Sequence, residues 1–134
     1  MNRFEGHISE IETDGGLSLV TVRTAKDLVF RCIIIDTPAS APYLERDRKV
    51  EVLFKETEVV IGLQNTENIS LSNRIPCSVE FVDKTTLLSS LDLNCAEGRI
   101  RSVISTRSVE ELGLVPGKSV MALIKLNEVM LAPL

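Results

Sequence analysis

Two lysines and a small set of hydroxyl residues are the side chains whose types and spacing could do chemistry. Lys55 and Lys125 stand 70 residues apart, each closing an apolar run, "KVEVLFK" and "SVMALIK". Ser105, Thr106 and Ser108 open the stretch "STRSVEELG", which reads as one helical turn. In that reading Ser108 is the N-cap, Glu111 reaches back as a capping box and Gly113 supplies the left-handed stop. The start of a helix offers backbone N–H groups and the positive end of the dipole. With Ser70, Ser72 and Lys125 added, the set comprises hydroxyl donors, amide donors and a compact cation. A tetrahedral anion that accepts hydrogen bonds at every oxygen needs that combination. The ordinary readings stand beside this one: lysines usually point to solvent, and serines at a helix start are usually plain caps.

The elements that must position these residues come in two copies. "DRKVEVLFKETEVVIG" from Asp47 lies over "GKSVMALIKLNEVMLA" from Gly117 at a constant offset of 70, so that Val50, Leu53, Lys55, Glu58 and Val59 recur. "NRFEGHISEI" from Asn2 lies over "NRIPCSVEFV" from Asn73 at an offset of 71. Two units follow, residues 1–68 and 69–134, with "GLQNTEN" (Gly62 to Asn68) as the connector. Short runs of β-branched and aromatic residues, such as "GLSLVTVRT", "LVFRCIII", "LLSSLDLN" and "GRIRSVIS", predict strands. Asp14-Gly15-Gly16 and Ala96-Glu97-Gly98 predict hairpin turns. The end of the chain, Val109 to Leu134, reads as a capped helix, a turn and one long strand carrying Lys125. About five strands and a helical turn in half a chain predict an all-β protein of two tandem OB-like barrels.

Composition removes several function classes. The chain has 134 residues, 44% of them hydrophobic, and 15 Lys+Arg against 19 Asp+Glu. A net charge of -4 has the wrong sign for a general nucleic-acid or anionic-membrane surface, and the aromatics are too few for a single-strand stacking platform. Neither a signal-peptide pattern nor an apolar run long enough to span a membrane is present, which predicts a cytoplasmic protein without membrane insertion. The three cysteines, Cys32, Cys77 and Cys95, form no CxxC pair and predict reduced, buried thiols rather than a disulfide framework or a metal site. No catalytic triad, phosphate loop or metal-ligand cluster is legible, so the chain reads as a binding protein rather than an enzyme.

"ISTRSVEELGLVPGKSVMALIKLNEVML", Ile104 to Leu131, resembles the end of a Mop domain, the molybdate-binding OB-like module also called the TOBE domain. "ISLSNRIPC", Ile69 to Cys77, resembles that family's Ser-Ala-Arg-Asn segment. Counting both repeats, the chain is similar to di-Mop molbindins and to the C-terminal part of molybdate-importer ATPases. The resemblance implies molybdate or tungstate as ligand, no organic cofactor, and an oxyanion held between neighbouring modules. Carried over by position, it implies Ser70, Ser72 and Asn73 from one module, Ser105 and Ser108 from a second, beside Thr106 of the same helical start, and Lys125 with Leu126 from a third. Lys55 is the first unit's counterpart of Lys125.

The pattern is incomplete. Ser72 stands where the family commonly has arginine, and in the first unit Ile35 and Pro38 replace the serines equivalent to Ser105 and Ser108. Asp36 in that turn repels a dianion unless it caps a helix. The second unit is therefore expected to be the competent one. Strands as apolar on both faces as "SVMALI" and "RCIII" predict an oligomer, and the resemblance implies a trimer. The alternative is a regulatory or oligomerisation module belonging to, or partnering, a molybdate-type transporter ATPase, with weak anion binding or none.

Overall fold

The computed structural model of the chain describes residues 1–63 and 67–134. The middle of the expected connector, residues 64–66, lies outside the described residues. The first half forms β1 (Asn2–Asp14), β2 (Leu17–Arg23), β3 (Val29–Ile34), β4 (Lys49–Phe54) and β5 (Val60–Gly62). The second forms β6 (Asn73–Lys84), β7 (Leu88–Cys95), β8 (Gly98–Ser105), α1 (Thr106–Leu112), β9 (Ser119–Ile124) and β10 (Met130–Pro133). Every pairing is antiparallel. Two five-stranded sheets result, in the orders β10-β4-β1-β2-β3 and β5-β9-β6-β7-β8, as the all-β, tandem OB-like reading requires.

The sheets exchange their last strands. β5 pairs with β9, placing Val60 opposite Leu123, and β10 pairs with β4, placing Met130 opposite Leu53. The repeat in the sequence is thus a local pseudo-twofold in space, and each unit is finished by the other. One-residue irregularities recur at equivalent places in the long first strand of each copy, between Ile8 and Glu10 and between Val79 and Phe81. Such bulges increase the twist and let a long strand curl.

What makes the exchange possible is a break after each lysine. Lys55 and Lys125 have extended backbone (φ -78, ψ 148 and φ -72, ψ 149) and precede 3₁₀ turns at Glu56–Glu58 and Leu126–Glu128. Each turn closes by a bond from the N–H three residues on, Glu58 to Lys55 and Glu128 to Lys125, both at 3.0 Å. The expected single long strand through Lys125 is therefore two strands in different sheets. The lysine sits on the exposed corner between them, not in the ladder. Val59 and Val129, buried just past the turns, pin the crossing chain.

The cores differ between units. Phe4, Phe30 and Phe54 pack with centroids 5.5–6.1 Å apart in the first. Ile75, Ile100 and Ile124, all fully buried, take the equivalent places in the second. In the hairpins, Gly15 adopts φ 60 in the Gly15-Gly16 turn, and the positive φ of the second turn falls on Gly98 (φ 139). Among the described residues no helix is long and apolar enough to cross a membrane.

Candidate functional site

The seam between the two units brings the first group of expected residues together. Asn73 is the first residue of β6 and faces Ile124 at the end of β9, so Ser72 and Lys125 are the next residues outward on the same strand pair. Leu126 begins the 3₁₀ turn that packs against β3 of the first unit. Asn73 itself is buried, and its amide is committed. Its Oδ1 accepts from Arg31 N–H at 2.7 Å, and its Nδ2 donates to Arg31 C=O at 2.8 Å. It acts as a clamp that supplies β3 with the two main-chain partners an edge strand otherwise lacks. Arg74 turns back on the preceding loop, its Nε donating to Leu71 C=O at 3.0 Å and its Nη2 to Ile69 C=O. It thereby fixes the segment bearing the exposed Ser70 and Ser72.

The pseudo-twofold builds a second such place. Asn2 clamps Arg101 of β8 in the same way, with Arg101 N–H to Oδ1 at 2.8 Å and Nδ2 to Arg101 C=O at 2.9 Å. Here a cavity of about 300 Å³ is lined by Met1, Asn2, Arg3, Glu56, Arg99 and Arg101. Its cations are partly answered by carboxylates. Asp92 takes Arg101 Nε at 2.9 Å and lies 3.9 Å from Arg99, and Arg3 pairs with Glu51 at 2.9 Å. Glu56 faces the cavity, held below the usual carboxylate range by a hydrogen bond from the Met1 amino group. Leu126 stands where Glu56 does, so the place beside Lys125 lacks that negative charge. Lys55, exposed on its corner, is followed by this glutamate.

Arg31 and Arg101 are the residues that sequence reasoning missed. They repeat at the same offset of 70 as the lysines, so the repeat held the signal, but they lie on strands where an exposed arginine is unremarkable.

The second expected group lies elsewhere. Ser105 ends β8 opposite Leu88, beyond the last β6 pair, Lys84 with Ser89, whereas Asn73 is at the other end of β6. The helix begins at Thr106, three residues earlier than a Ser108 cap requires. Ser105 is the N-cap, and its Oγ accepts from Ser108 N–H at 3.1 Å. Glu111 closes no capping box and lies 3.7 Å from Arg107 instead. Gly113 is the left-handed stop, as expected, at φ 61. Two of the amide donors expected here are already used: Thr106 N–H donates to Leu87 C=O at 2.9 Å, and Ser108 N–H to the cap. Thr106 Oγ1 is buried between Ser89 Oγ and Thr85 C=O, each 2.8 Å away. Its role is to hold the helix start onto β7.

The first unit has no helix at the equivalent place. Pro38 and Pro42 break it into turns, and Ser40 Oγ donates to Asp36 Oδ1 at 2.9 Å. Asp36 thus caps a turn rather than a helix. The cysteines also depart in one respect from expectation: Cys32 and Cys77 are buried, but Cys95 is only partly so. Among the described residues no cluster of three or more metal-ligating side chains occurs.

Comparison with known proteins agrees with this architecture. Residues 69–131 match the family model of the TOBE domain. The whole chain is similar in fold to the cytoplasmic molybdate-binding protein ModG, solved with molybdate bound, with a TM-score of 0.92 at 22% identity over 99% of this chain and 96% of that one. Two shorter solved chains each match 43% of this one. They are a molybdate-binding protein from Sporomusa ovata (31% identity, 87% of that chain, TM-score 0.43) and MopII from Clostridium pasteurianum (34%, 88%, 0.42). No curated protein matches.

Proposed function

We propose that this chain, whose residues 69–131 match the TOBE-domain model, is a cytoplasmic oxyanion-binding protein that buffers or stores molybdate or tungstate. The observation that carries the reading is the repeated corner. A lysine leaves the sheet where the chain crosses between units, beside a buried asparagine clamp and an arginine-bearing strand. A lysine placed for a ladder position would have gained nothing from recurring on that corner. The ligand named for ModG supports molybdate as the anion.

In this proposal Lys125 supplies the charge, Ser70 and Ser72 supply hydroxyls, and Leu126 walls the site. Asn73 fixes the geometry by locking the units together. Ser105 and Ser108 lie at the far end of β6, so their hydroxyls reach the same anion only from another chain, with Thr106 holding the helix start that carries them. That separation favours an oligomer, a trimer by the family resemblance, in which modules of different chains complete each site. The Lys55 place, with Glu56 beside it, is the weaker one. The protein works by binding and not by catalysis.

The test is isothermal titration with molybdate, tungstate and sulfate, with light scattering on the same sample. Heat with the first two and not with sulfate, lost in Lys125→Ala, supports the reading. A well-folded oligomer silent to all three anions would sink it and leave the regulatory module of a transporter ATPase as the better account.

A further inference from the structure

The β6–β7 hairpin holds a chemistry that anion binding does not use. Ser78 faces Asn94 in the ladder, so the next residues outward, Cys77 and Cys95, face each other across the two strands. Directly opposed residues of an antiparallel pair have Cα atoms about 4.5–5.5 Å apart. That lies within the roughly 4.4–6.8 Å a disulfide spans. The two thiols are also unlike each other. Cys77 is buried, with its Sγ 3.3 Å from Ile75 C=O, whereas Cys95 is partly exposed at the mouth of the two-residue Ala96-Glu97 turn. The Cys77 thiol beside it and the backbone N–H groups of Glu97 and Gly98 hold the Cys95 thiol below the usual cysteine range. Partial burial and, less strongly, the Glu97 carboxylate oppose that shift and do not overcome it. Cys77 keeps its proton, its pKa raised by the neighbouring Cys95 sulfur and by burial. A thiolate that is both accessible and stabilised is the reactive form of cysteine.

We propose that Cys77 and Cys95 form a dithiol site for exchange with low-molecular-weight disulfides of the glutathione type, with Cys95 as the attacking sulfur and Cys77 as the resolving one. The Cys95 thiolate attacks one sulfur of the small disulfide, forming a mixed disulfide and releasing one thiolate. Cys77 then gives its proton to a leaving thiolate as its own sulfur attacks that of Cys95. The Cys77–Cys95 bond forms and the second small thiol departs. Two protein thiols are oxidised and one small disulfide is reduced to two thiols. The site also lies on the seam: Glu97 accepts from Thr24 Oγ1 at 2.7 Å and from Lys26 N–H at 2.9 Å, so the turn next to Cys95 is fastened to the first unit. The first unit has no counterpart, since Gly6 and Thr24 hold the equivalent positions and a Cβ on Gly6 would sit 2.7 Å from Arg23 C=O.

The experiment treats the folded, reduced full chain with a limiting amount of iodoacetamide and, separately, with oxidised glutathione, followed by peptide mapping by mass spectrometry. The expected result is preferential alkylation at Cys95 over Cys32, by tenfold or more, because burial pushes the Cys32 thiol up to about 12. Glutathione disulfide should give a Cys77–Cys95 linkage in the wild type, a persistent mixed disulfide at Cys95 in Cys77→Ser, and no adduct in Cys95→Ser. A mixed disulfide that stays on wild-type Cys95, or reaction at Cys32 first, would overturn the proposal. Both readouts come from the wild-type map alone, so the conclusion stands even if the Cys77→Ser chain fails to fold.

Discussion

The two units share a ladder and a crossing, yet they differ in the large side chains at the centre of each core and beside each lysine corner. The first packs three phenylalanines where the second packs three isoleucines, and it replaces α1 with proline-broken turns. It also puts Glu56 where the second has Leu126. What stays constant is the joint: the lysine corner, the buried asparagine, the arginine whose backbone that asparagine clamps, and the exchanged strand. The comparison teaches that the joint is under a constraint the cores are not. Cores accept any set of side chains that fills the volume, whereas a buried amide answering two main-chain groups has no substitute of the same shape and polarity.

Core truncation should break the comparison most strongly. Phe54→Ala is expected to cost about 3–5 kcal/mol, at the upper end of the range for buried large side chains. Because β5 and β10 are exchanged, that loss should appear as one shifted transition in urea rather than as unfolding of the first unit alone. Two separate transitions would show that the units are energetically independent. Next come the clamps. Asn2→Ala and Asn73→Ala each leave a part-buried main-chain N–H and C=O without their partner, and each should cost about 1–3 kcal/mol in the same denaturation experiment. Costs differing by more than about 1 kcal/mol would mean that the pseudo-twofold is geometric and not energetic.

The ligand comparison is smaller in energy and sharper in meaning. Lys125→Ala should lower molybdate affinity about tenfold or more, a loss of about 1.4 kcal/mol, while Lys55→Ala changes it little. Neither should move stability by more than about 0.5 kcal/mol, since both corners are exposed. Equal losses of affinity would make the two places equivalent and remove the significance of Glu56. The smallest effect concerns the helix that only one unit has. Ser105→Ala should cost about 1 kcal/mol as the loss of an N-cap, and Ser108→Ala less, by thermal unfolding. The reverse order would restore Ser108 as the cap.

Much of this was legible from particular residues. The strands were readable from β-branched runs, the hairpin at Gly15 from its glycines, the helix stop from Gly113, and the repeat from Lys55 and Lys125. The cap was misplaced because Ser105 and Ser108 are chemically the same residue three positions apart, and only the pairing of Ser105 with Leu88 shows where β8 ends. Lys125 was misread as a strand residue because a three-residue 3₁₀ turn leaves no periodic trace. The strands bearing Arg31 and Arg101 were legible, and the repeat marked the two arginines, but their clamping was not, because the groups the asparagines bind are main-chain ones that no side chain specifies.

Sequence alone determined that this protein is a tandem β-structure of two related units carrying a repeated cation, because strand propensity, turn chemistry and repetition are local properties written in consecutive residues. Only the tertiary structure decided that the units exchange strands, that Asn2 and Asn73 are spent on clamping rather than left for a ligand, that the two expected site groups sit at opposite ends of β6, and that Cys77 meets Cys95. Each of those depends on which distant backbone group comes within about 3 Å of which side chain, and hydrogen-bond geometry at that scale is fixed by register and packing rather than by residue type.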